Sequence, residues 1–94
     1  MRRKQEVIRR GVWLYDGSVE TPVFVIKQNW DYYFEDGYSD GKPDLNDDGE
    51  AYYLSYSAPQ DGEFHRASSR TCLSENEAIQ LAEETLRGGV RWKI

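Results

Sequence analysis

Four stretches of the chain carry residues in the short-period pattern of strands, and the next switches to helical spacing before a short closing strand. The segment "EVIRRGVWLY", residues 6–15, is rich in β-branched and aromatic residues and reads as a strand, with Gly11 marking a bulge or bend. "DGS" at 16–18 is a turn signal, and "TPVFVIKQ" at 21–28 follows as a second strand that closes a hairpin. Pro22 falls at its start, where a missing backbone donor matters least. In "EAYYLSYS", residues 50–57, Tyr52, Leu54 and Tyr56 share one face while Ala51, Tyr53 and Ser55 share the other. "FHRASSRTC" at 64–72 is predicted to pair back as a fourth strand.

The period then changes. Ser74 followed by Glu77 is a capping-box signature, and Ala78, Ile79, Leu81, Ala82 and Leu86 fall on one stripe. Gly88 and Gly89 end the helix, and "VRWKI" closes as a short strand with Val90, Trp92 and Ile94 on one face. The predicted order is β-β-β-β-α-β. This is an α+β fold of one domain over residues 1–94, a mostly antiparallel sheet of about five strands with one helix packed on one face.

Residues 29–49 break the pattern. Three glycines, one proline and eight Asp or Asn residues oppose a long regular element, although residues 29–35 are compatible with a continued second strand. Trp30, Tyr32, Tyr33, Phe34 and Tyr38 crowd into the same segment. Long irregular loops in compact domains are often functional. With Tyr53 on the third strand, the aromatic residues Trp30, Tyr32, Tyr33 and Tyr38 form the expected binding surface, since exposed amphipathic rings suit protein contacts.

Charge sharpens this picture. The net charge is −5, but residues 31–50 hold eight acids against one lysine, and residues 1–10 hold five cations against Glu6. An acidic chain with a short basic arm is a poor general nucleic-acid binder, because such affinity comes from neutralising phosphates. No run of apolar residues is long enough for a transmembrane helix or a signal peptide, so no membrane role and a cytoplasmic location are expected. Cys72 is the one cysteine, which rules out an internal disulfide.

"DLNDDGE", residues 44–50, is similar to the front half of an EF-hand calcium loop. Asp44, Asn46 and Asp48 take its first, third and fifth places, Gly49 its sixth, and Glu50 offers a backbone carbonyl at the seventh. Ser55 stands where a bidentate glutamate belongs, and a strand follows where a helix should. Asp, Asn and Gly are also what a tight turn before a strand uses. Calcium is the one cofactor this motif suggests.

Catalytic constellations are absent. His65 and Cys72 lie an odd number of positions apart on one predicted strand, which points them to opposite faces. Ser68 and Ser69 near His65 lack the strand–turn–helix setting of a nucleophile elbow. Cys72 reads as a small buried hydrophobe, though the helix start beside it could activate a thiol. The expected function is a non-enzymatic protein-interaction module of the adaptor or inhibitor and immunity-like kind, with self-association into a homodimer as one outcome. The alternative is a ligand- or calcium-binding domain using residues 30–50.

Overall fold

The computed structural model describes residues 3–31, 44–60 and 62–93. They form four strands and one helix: β1 (Gln5–Tyr15), β2 (Val19–Gln28), β3 (Ala51–Ser55), α1 (Glu75–Thr85) and β4 (Arg91–Trp92). The spatial order of the antiparallel sheet is β3-β2-β1-β4. The class is therefore α+β, with four strands in place of five.

The hairpin is built by its turn. Asp16 and Gly17 both take positive φ, 51° and 74°, and Ser18 N–H donates to the Tyr15 carbonyl at 3.1 Å. An Asp-Gly pair tolerates that left-handed geometry better than almost any other dipeptide. Pro22 lies inside β2, opposite Val12, not at its start. It is accommodated because β2 pairs with β3 through Phe24–Gln28, so Pro22 sits beyond the end of that ladder.

A register shift falls between Val7 and Arg9, so the bulge is at Ile8 and not at Gly11. Gly11 instead lies where β4 crosses. A Cβ built there would stand 2.7 Å from Val90 Cγ1 and 2.9 Å from the Arg91 carbonyl oxygen. The strand β2 ends at Gln28, and of the suggested continuation to 35 the positions from 32 lie outside the described residues.

The fourth predicted strand, at 64–72, is reduced to one bridge between Tyr52 and Cys72. Its serines explain why. Ser69 Oγ accepts from Leu54 N–H at 2.9 Å, and Ser68 Oγ accepts from Tyr56 N–H at 3.2 Å. Short hydroxyl side chains thus take donors that a neighbouring backbone would have met, a competition typical of serine. The segment covers the outer edge of β3 without joining the sheet, which protects that edge from stray pairing.

The helix starts as the sequence indicates. Ser74 Oγ accepts from Glu77 N–H at 3.1 Å, but the Glu77 carboxylate reaches back to Leu73 N–H, one residue before the expected partner. Ala78, Ala82 and Leu86 face Val23, Val25, Leu54 and Cys72 in the buried cluster. Fully burying each large aliphatic side chain is worth about 1.5–3 kcal/mol. The small alanines let α1 lie close to the sheet. No helix among the described residues is long and apolar enough to cross a membrane.

Candidate functional site

The helix covers one face of the sheet, so the opposite face decides what the molecule can offer. Pairing fixes its occupants. Gly11, Val23 and Val25 point to the helix, so Arg10, Val12 and Leu14 on β1 share the far face with Glu20, Pro22 and Phe24 on β2. Arg91, opposite Val12, extends that row onto β4.

One half of the far face is closed. The Phe24 ring packs on His65 with centroids 4.9 Å apart, and the backbone of His65 is bound into a buried polar network. His65 N–H donates to Gln5 Oε1 at 2.7 Å, and Gln28 Nε2 donates to the Trp30 carbonyl at 2.9 Å. The Tyr53 hydroxyl has one proton to share between Gln28 Oε1 at 2.5 Å and the His65 carbonyl at 2.9 Å. Gln5 Nε2 lies 2.6 Å from the Tyr53 oxygen and 2.9 Å from Gln28 Oε1.

Tyr53, expected on a contact surface, is therefore 1% exposed and structural in its surroundings. Trp30 is 6% exposed, covered by Phe64 with ring centroids 4.9 Å apart and by the Arg3 guanidinium 5.2 Å from its ring. Tyr32, Tyr33 and Tyr38 lie outside the described residues. Removing the Tyr53 hydroxyl leaves buried acceptors short of a donor, which usually costs about 1–3 kcal/mol. Tyr53→Phe is expected to lower the unfolding free energy by about 1–2 kcal/mol in urea titrations. A change within error would mean that the network is satisfied without it.

The other half of the face, toward the hairpin end, is open. Val12 is half-buried and Pro22 exposed. Leu14 is 39% exposed, and around the hairpin tip Tyr15 and Val19 reach 53% and 56%. Arg10, Arg91 and Glu20, all exposed, rim this apolar surface. A groove of about 630 Å³ runs from Val12 and Leu14 to Arg87 and Val90 in the segment that follows α1. Sequence inspection passed over these residues, although the signal was present: pairing the two strands across "DGS" puts Val12 beside Pro22.

The loop at 44–50 is a tight turn in its geometry. Asn46 Oδ1 accepts from Asp48 N–H at 2.9 Å and Glu50 N–H at 3.0 Å, while Asn46 Nδ2 donates to the Leu73 carbonyl at 3.1 Å. The Glu50 carbonyl accepts from Asn46 N–H at 2.8 Å, and its carboxylate lies 3.6 Å from Lys27 Nζ. Gly49 supplies the positive φ of 76° that the turn requires. Asp44 is exposed, and its N–H donates to the buried Asp31 carboxylate at 2.8 Å. Among the described residues, no three His, Cys, Asp or Glu side chains gather in a metal-sized group.

The remaining reactive groups are placed apart. Cys72 is buried, and that burial pushes its thiol pKa up, with Arg70 opposing the shift. A helix start therefore does not activate it. His65 lies on the far face and Cys72 in the core beneath the helix, so they form no pair. Compared with protein-family models, curated proteins and solved structures, the chain matches none.

Proposed function

We propose that this chain is a non-enzymatic protein-interaction module that docks its partner on the open hairpin end of the sheet. The observation that carries the reading is an apolar surface, Val12, Leu14 and Pro22, left uncovered on a sheet whose other face is filled by a helix. Tyr15 and Val19 continue it around the hairpin tip. Apolar patches rimmed by charge are common at protein contacts. With Glu83 and Arg87 lining the groove, Arg10, Arg87 and Arg91 stand against Glu20 and Glu83, so the matching partner surface carries an apolar ridge flanked by carboxylates.

Leu14 and Val19 are exposed, so aspartate at both positions alters the surface with little effect on the core. A tagged wild-type chain is expected to retain a stoichiometric protein partner from cells, and the Leu14→Asp, Val19→Asp variant to lose it. Equal retention by both would overturn the assignment of the surface. A ligand- or calcium-binding role for residues 30–50 is the competing reading. It is tested by a thermal melt with millimolar calcium, because binding to the native state raises the midpoint by mass action. A clear upward shift would favour it over docking at the hairpin.

A further inference from the structure

His65 closes the second face of the sheet in an unusual way. Its backbone N–H and carbonyl are both held by the Gln5 and Tyr53 side chains, at 2.7 Å and 2.9 Å. Its ring lies on Phe24, and the ring Nδ1 is buried with no hydrogen-bond partner. Next to it, Phe64 covers Trp30. We propose that residues 62–66 are a pH-sensitive latch, which protonation of His65 releases from the sheet to uncover Phe24, Trp30 and the Gln5–Gln28–Tyr53 network.

The chemistry follows from the surroundings of the ring. Protonation puts a hydrogen on both ring nitrogens. The buried Nδ1 makes no hydrogen bond among the described residues in the closed state, so burial opposes the charge that the Ser57 backbone favours. From β1 the ring meets the field of Arg10, a fixed cation, beside neutral Gln5. From β2 it meets Phe24, with neutral Gln28 in the network behind, and β3 contributes the neutral hydroxyls of Tyr53 and of Ser55, which is paired with Phe24. On its own segment Glu63 and Arg66 are exposed. Among the described residues, no carboxylate is placed to stabilise an imidazolium there.

Burial is the largest influence and pushes the His65 pKa down. Arg10 acts in the same direction, and a hydrogen bond with the Ser57 backbone opposes them. The sign follows directly. A histidine whose pKa is lowered in the closed state binds fewer protons there than when released, so closure is favoured above about pH 6.5 and weakens as pH falls below it. The released segment also borders the apolar surface through Phe24, which is paired with Arg10 one step from Pro22 and Val12. The latch stands whether or not that surface binds a partner.

The test is nuclear magnetic resonance on the full chain, following the His65 ring and amide exchange between pH 7.5 and pH 5.5. The His65 ring is expected to titrate below the ordinary histidine value. After correction for intrinsic exchange rates, protection of the His65 amide is expected to fall by up to about tenfold, while the amides of β2 keep theirs. In His65→Phe, which keeps a ring against Phe24, the pH effect should disappear. In Gln5→Ala, which unfastens the backbone of the segment, the His65 midpoint should move back toward its ordinary value. An ordinary midpoint in the wild-type chain would overturn the latch. So would an unchanged pH effect in His65→Phe, or loss of β2 protection in step with His65.

Discussion

Leu54→Ala is expected to cost about 3–4 kcal/mol of folding free energy, the largest effect of any single truncation considered. Leu54 is fully buried and belongs to a cluster that joins β2, β3 and α1. Its neighbours cannot easily collapse into the space it leaves. Ala78 and Ala82 have no length to extend, and Val23 and Val25 are stiff at their branched β-carbons. Both the transfer energy and the cavity are therefore lost together. Native domains hold only about 5–15 kcal/mol in total, so the variant should show a much lower urea midpoint at an unchanged slope. A loss under about 1 kcal/mol would mean that the core relaxes around position 54.

Gly11→Ala is the second large effect, expected to cost about 2–3 kcal/mol for the addition of one methyl group. The Cβ would come within 2.9 Å of the Arg91 carbonyl and the Trp92 ring and 2.7 Å of Val90 Cγ1. A backbone oxygen cannot step aside as a flexible side chain can. The strand β4 pairs with β1 at Gly11 and Val12, with one further bond from Lys93 N–H to the Arg10 carbonyl at 2.7 Å. Relief therefore comes by lifting β4, and Trp92 should lose its packing under the helix. Unfolding by denaturant and the fluorescence of Trp92, with Trp13 and Trp30 replaced by phenylalanine in both backgrounds, report the two parts separately. An alanine variant of wild-type stability would show that β4 does not approach so closely.

The fold was legible where local chemistry agrees with tertiary demand. Asp16-Gly17 determines the hairpin turn, Ser74 begins the helix, and Leu54 with Tyr52 and Tyr56 marks the helix-facing side of β3. It was less legible where a side chain replaces the backbone. Residues 64–72 carry a strand-like pattern, but Ser68 and Ser69 use hydroxyls on the edge of β3, and no periodicity reports that choice. Gly11 was visible as special, yet a glycine has the same letter whether it bends a strand or makes room for another. Its role depends on the crossing of β4, a contact with a residue about eighty positions away.

The site was the hardest part to read, for a physical reason. Tyrosine suits both an exposed contact and a buried hydrogen-bonded core, and its environment decides between them. Tyr53 went inside because Gln5 and Gln28 meet its hydroxyl there, polar residues that strand alternation alone would assign to solvent. The calcium-like spelling of 44–50 has a similar ambiguity. The side-chain oxygen that could face an ion at Asn46 is turned onto two backbone N–H groups, as in any asparagine turn.

The proposed docking of a protein partner on the open hairpin end is open to amide-exchange footprinting of the complex. The chain is compared free and with its co-purified partner bound, both at pH 7.5 where His65 is neutral. The expected result is new protection at residues 12–21, around Val12, Leu14 and Val19, with residues 44–55 unchanged. Protection confined to residues 44–50, with the hairpin exchanging as in the free chain, would contradict it.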